Sequence, residues 1–255
     1  MPGAPKATAD LTAICAAARR DAERLVAGGV DGLMIENYGD SPFYSDDVPK
    51  HTVAAMTRVG TAVRRAVDCP IGVNVLRNDA EAALSVAAAV EADYIRVNIH
   101  TGLKATDQGL IEGQAHETLR LREQLAVDVQ ILADLDVKHA TPIGSGQSIA
   151  TEFDDCVDRG HADAVIVSGE ATGQQVDSEA LDEALDARTA GGYSTPVFVG
   201  SGVTVESVDE QLAAADGAIV GTALKKDGET TNSVSTERVE RFMDRVERVR
   251  SETVD

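Results

Sequence analysis

Residues 131–139 read ILADLDVKH. The first half has the make-up of a buried strand, and then Asp134, Asp136 and Lys138 fall at every second position. Successive strand side chains point to opposite faces, so these three charges share one face while Leu135 and Val137 take the other. An unpaired charge in an apolar interior costs several kcal/mol or more. A fold that tolerates three on one strand face must bring them partners from neighbouring strands.

The same split recurs along the chain. In 94–100, YIRVNIH, the apolar Ile95, Val97 and Ile99 alternate with Arg96, Asn98 and His100. In 71–78, Ile71, Val73 and Val75 leave Asn74 on the opposite face, and in 31–37, Leu33 and Ile35 leave Glu36. Four consecutive strands are thus expected to aim polar groups at one axis, with apolar outer sides beneath helices. That is the inside-out arrangement of a barrel.

Strand-like and helix-like segments alternate throughout. Strand patterns at 31–37, 71–78, 94–100, 129–139, 164–169, 197–202 and 217–224 are separated by stretches of helical periodicity. Such alternation implies a parallel sheet with right-handed crossovers. An open doubly wound sheet and a (β/α)₈ barrel both meet that description. The length of 255 residues, the even repeat and the lack of a GxGxxG after the first strand favour the barrel. No linker or composition break divides 1–255, so a single domain is expected. The strand count is seven and the chain opens on a helix. The first strand is therefore expected to be missing from this chain, supplied from upstream or replaced by self-association.

The chain carries 43 acidic and 23 basic residues, a net charge of −20. That excludes nucleic acid, whose phosphates need Lys and Arg, and an anionic membrane surface. Few lysines, 3% aromatics and acid spread along the whole length suit a halophilic protein, soluble in concentrated salt where self-repulsion is screened. Cys15, Cys69 and Cys156 lie far apart and match no zinc spacing, as reduced core cysteines do. With no signal peptide and no apolar run of spanning length, a cytoplasmic protein without integral membrane association is expected.

Residues near strand C-termini face the mouth where barrel enzymes work. They give Glu36, Asn74, Asn98, His100, Asp136 and Lys138 as candidate catalytic residues, with Lys138 as general acid or base or as a Schiff-base nucleophile. Arg96 and Asp134 lie deeper, where an interior ion pair that merely fills the barrel is an equal reading. His100, Asp134, Asp136, Glu36 and His139 are ligand types for a divalent ion. No HxH or HExxH occurs and nearby cations would repel the ion, so no metal is expected. GSGVTVES (200–207) and GTALKKDG (221–228) follow the last two strands. Loops there often hold phosphate on backbone N–H groups, which makes Gly200, Ser201, Gly202, Gly221 and Thr222 candidate phosphate-binding residues, with Lys225 or Lys226 adding charge. Two long loops, 36–49 with three aromatics and 100–113 with Asp107, are lid candidates, and 168–173 is a shorter mouth loop.

The stretches DGLMIENYGDSPFY, IGVNVLRNDA, IRVNIHTG, TDQGLIEG, DVKHA, SGEATG and VGSGV, from about Asp21 to Lys226, closely resemble the BtpA/SgcQ family. The resemblance implies a TIM barrel of the ribulose-phosphate-binding type. It implies association with photosystem I biogenesis among cyanobacterial members and with sugar metabolism among bacterial ones. Family chains usually open on a strand like GMVHLxPLPGAP, of which only Met1 to Pro5 remain here, in line with the missing strand. Two functions stay open. One is an enzyme acting on a small phosphorylated ligand, a sugar phosphate or nucleotide derivative, by lyase, isomerase or hydrolase chemistry without a bound redox cofactor. The other is a non-catalytic assembly or regulatory factor. A homo-oligomer is compatible with both.

Overall fold

The structure is a computed structural model that describes residues 1–137, 139–144, 148–168 and 178–253. Seven strands form one parallel sheet: β1 (Leu33–Glu36), β2 (Ile71–Asn74), β3 (Tyr94–Val97), β6 (Gln130–Leu135), β8 (Ala164–Ser168), β9 (Val197–Gly200) and β10 (Gly217–Ile219), in that spatial order. Three more, β4 (Leu103–Thr106), β5 (Gly109–Glu112) and β7 (Ala140–Pro142), make a small antiparallel sheet of order β5-β4-β7. Helices α1 (Leu11–Ala27), α2 (Lys50–Arg64), α3 (Ala80–Val90), α4 (Ala115–Leu125), α5 (Ile149–Asp154), α6 (Ser178–Gly191), α7 (Val208–Ala214) and α8 (Thr236–Thr253) complete the order. The large sheet curls into a partial barrel. Among the described residues β1 and β10 are its two edges.

Alternation sorts the faces as the sequence predicts. Leu33, Ile71, Val73, Ile95, Val97 and Ile131 pack outward with residues of α2 and α3. Ala133, Leu135, Val165, Val167, Val197 and Val199 pack outward with α6 and α8. The helices begin where side chains can take up free backbone amides: Asp10 accepts from Ala13 N at 2.8 Å, and Asp79 from Ala82 N at 2.7 Å. Inside, Leu132, Ala164 and Ile166 meet Tyr94, Phe198 and Ile219 in an apolar layer. Gly72 makes room for it, since a Cβ there would stand 2.0 Å from the Tyr94 ring.

One device recurs at the N-terminal end of the sheet. Asp93, just before β3, accepts from Ile71 N at the start of β2 (2.8 Å) and from Arg64 at the end of α2 (2.7 Å). Asp163 does the same for Ile131 N of β6 and Arg122 of α4, both at 2.8 Å. Asp216 repeats it for Val197 N of β9 (2.8 Å) and Arg188 of α6 (2.7 Å). Each carboxylate thereby ties two neighbouring strands to the helix that leads into one of them. Asp31, ahead of β1, pairs with Arg250 of α8 at 2.5 Å.

Several expectations are corrected. The segment 100–113 is not an open loop: β4 and β5 form a hairpin, with Lys104 and Ile111 paired on its buried side. The strand expected over 129–139 ends at Leu135, because Asp136 turns to φ +48° and breaks the alternation. The last strand stops at Ile219 and gives way to a 3₁₀ turn over Thr222–Leu224. No described helix is long and apolar enough to cross a membrane.

Candidate active site

Above the apolar layer lies a polar one. Glu36, Asn74 and Arg96 form a single row across β1, β2 and β3, since Glu36 pairs in register with Asn74 and Asn74 with Arg96. Arg96 grips Asp134 of β6 with both arms, Nε to Oδ1 at 2.8 Å and Nη2 to Oδ2 at 2.9 Å. The planar guanidinium fork matches a carboxylate in this way. Its third nitrogen, Nη1, reaches Glu36 Oε1 at 3.4 Å, and Nη2 also lies 3.5 Å from Ser168 Oγ. Burial alone would lower the Arg96 pKa, but the charges of Asp134 and Glu36 outweigh it and raise the pKa. The guanidinium is a fixed cation.

Two amides extend the pair. Asn98 Nδ2 donates to Asp134 Oδ2 at 2.7 Å, and Asn74 Nδ2 donates to Asn98 Oδ1 at 3.3 Å. All these groups except Ser168 border one cavity of about 2610 Å³ on the inner side of the sheet. It continues to the turns after β9 and β10, where Ser201, Gly202, Gly221 and Thr222 line it. Ser201 and Gly202 have φ of +63° and +73°, a pair of left-handed residues that folds the backbone back at the mouth.

The structure thus brings together Glu36, Asn74, Asn98, Ser201, Gly202, Gly221 and Thr222 on one cavity. It separates others. His100 lies outside the barrel: β3 has ended at Val97, and the buried ring places Nε2 2.8 Å from Gly160 O. Burial lowers its pKa. Asp136 is exposed and does not line the cavity; its amide donates to Glu152 Oε2 at 3.1 Å. Gly200 faces inward but is enclosed, since a Cβ there would stand 2.5 Å from Ile166 and 2.8 Å from Ser168 Oγ. Close packing explains that glycine. Lys225 does border the cavity, with its Nζ 3.3 Å from Asp21 Oδ2. Lys138 and residues 169–173 lie outside the described residues.

Four further cavity residues are not site candidates on sequence pattern alone, although Asp107 falls in a lid-candidate loop. Arg77, Asp107, Arg238 and Arg241 all border the cavity. Burial lowers the Arg77 pKa, with Asp134 and then Asp107 opposing the shift. Arg238, in the first turn of α8, donates through Nε to Ala223 O at 2.7 Å beside the last turn. Arg238 and Arg241 are spaced i, i+3 on α8, a repeat that signals one helix face. Among the described residues no cluster of His, Cys, Asp and Glu is arranged to hold a metal ion.

Comparison with known proteins fits this architecture. N-(5'-phosphoribosyl)anthranilate isomerase from Pyrococcus furiosus superposes with a TM-score of 0.59 at 14% identity, covering 90% of this chain and 94% of that one. Thiamine phosphate pyrophosphorylase from the same organism gives 0.57 at 15%, covering 90% and 89%. These likenesses show a TIM-barrel-like fold. The photosystem I biogenesis protein BtpA of Synechocystis sp. is 43% identical over 244 residues, 96% of this chain and 83% of that protein. The BtpA family model matches residues 1–248, and the chain belongs to the BtpA family.

Proposed function

We propose that the chain is an enzyme acting on a small phosphorylated metabolite, a sugar phosphate or nucleotide derivative, by lyase, isomerase or hydrolase chemistry. The observation that carries this reading is the Glu36–Arg96–Asp134 row, set at strand C-termini and facing a cavity that runs on to the turns after β9 and β10. A buried ion pair is a poor source of stability, since well-packed apolar residues do as well or better. A charged row kept on a cavity wall is better accounted for by chemistry.

In this reading Ser201, Gly202, Gly221 and Thr222 hold the phosphate, with charge from Arg238 and Arg241 beside Lys225. Glu36, the row's carboxylate most open to the cavity at 27% exposure, is the group for proton transfer, and Arg96 steadies developing negative charge. Lys138 keeps the acid–base or Schiff-base role that its sequence position proposes. The names of the two structural neighbours, which carry phosphoribosyl and phosphate groups, support a phosphorylated ligand.

Thermal-shift screening of sugar phosphates and nucleotides in high salt tests the reading. Ligand at a hundred times its Kd adds about 2.7 kcal/mol of stability. The joint variant Arg238→Ala, Arg241→Ala is expected to lose that response. The alternative, an assembly or regulatory factor, is favoured by the name of the cyanobacterial relative. Silence across a broad panel of phosphorylated ligands would point there.

A further inference from the structure

The polar row has a direction, and that direction fixes what its far end offers. Asp134 as a carboxylate only accepts, so Asn98 must turn its NH₂ toward it. That leaves Asn98 Oδ1 toward Asn74, and Asn74 must in turn present its own NH₂. The amide orientations are therefore set by hydrogen-bond polarity, and Asn74 Oδ1 is left over. It is buried and has no partner among the described residues, on a residue 1% exposed that borders the cavity. A buried acceptor left unmet costs about 1–3 kcal/mol.

The surroundings narrow what can meet it. Glu36 and Arg96 flank Asn74 in the same row and join across it at 3.4 Å, a long contact that a ligand can replace. An ammonium placed here would face the Arg96 guanidinium. A phosphate or carboxylate would face Asn74 Oδ1, Glu36 and Asp134. A hydroxyl suits both neighbours, because it donates to one oxygen while accepting from Arg96.

We infer that Asn74 is a specificity-determining residue whose Oδ1 receives a hydroxyl of the ligand, which makes the ligand class polyol and sugar phosphates. The inference rests on the phosphorylated-metabolite reading and narrows it to ligands that carry a free hydroxyl. The ligand's phosphate occupies the turns after β9 and β10, and a hydroxyl-bearing carbon reaches β2.

Calorimetric titration with inorganic phosphate, with phosphates of three- to six-carbon sugar alcohols and with n-alkyl phosphates of equal length tests it. Wild type is expected to bind the best polyol phosphate about tenfold tighter than its alkyl match, the worth of one good hydrogen bond. Asn74→Leu should bring that ratio to within about twofold while leaving inorganic phosphate binding unchanged. A wild-type ratio near one, or a ratio that survives Asn74→Leu, overturns the inference and leaves the phosphate reading standing. Absence of binding by every phosphorylated probe overturns both. Should the leucine variant not fold, Asn74→Ala replaces it and the wild-type ratio still decides.

Discussion

Lys104 Nζ stands 2.5 Å from Glu152 Oε1, with the lysine side chain 3% exposed. The pair joins the hairpin to α5, and the second oxygen of Glu152 takes the amide of Asp136 where the chain leaves β6. Removing one partner strands the other charge in the interior. Lys104→Met is expected to cost about 3 kcal/mol, and the joint Lys104→Met, Glu152→Leu variant about 1 kcal/mol or less. Urea midpoints at unchanged m-value measure both. A joint loss equal to the sum of the Lys104→Met and Glu152→Leu losses would show that the pair has no such coupling.

Asp134 is the acceptor on which Arg96 and Asn98 converge, and its side chain is fully buried. Asp134→Asn puts an amide against a guanidinium that can only donate. A loss of about 3–5 kcal/mol is expected, again from urea unfolding. A variant as stable as wild type would mean that the Arg96 charge is solvated by some other route.

His100 gives the stability a pH dependence of known sign. Burial holds its folded pKa below the ordinary 6.5. Between those two values the unfolded chain binds a proton that the folded chain does not, so stability is complete above 6.5 and declines as pH falls below it. The slope from this one group is at most about 1.4 kcal/mol per pH unit. His100→Gln, which keeps a donor for Gly160 O, is expected to flatten the wild-type profile just below pH 6.5. Superimposable profiles would contradict the assignment.

A net charge of −20 on one chain is costly to fold at low ionic strength. The melting temperature is expected to climb with KCl as the screening length falls from about 10 Å at 0.1 M to about 3 Å at 1 M. A melting temperature indifferent to salt would remove the high-salt reading of the composition.

Strand parity makes much of the cavity wall legible. Leu33 and Ile35, Ile71 and Val73, Ile95 and Val97 are apolar at every second position, which leaves Glu36, Asn74, Arg96 and Asn98 inward with Asp134. Parity is informative only while the backbone stays extended. Asp136 lies past the end of β6, where φ changes sign, and His100 past the end of β3, so parity misplaces both. Arg77 fails in the opposite sense. Continued from Ile71, Val73 and Val75 it belongs outside, yet β2 ends at Asn74 and the turn brings it to the cavity. The hairpin was hidden by its brevity, because two four-residue strands around Asp107-Gln108 look like a glycine-punctuated loop.

The carboxylate clamps at the base of the sheet also count. Asp93, Asp163 and Asp216 secure the amides of β2, β6 and β9, the second, fourth and sixth places in the spatial order. Asp31 and Arg250 fall next in phase, beyond β10 and ahead of β1, with the arginine in hand and no backbone amide among the described residues. A beat of two struck four times has the spacing of a ring of eight, of which the described strands occupy seven places.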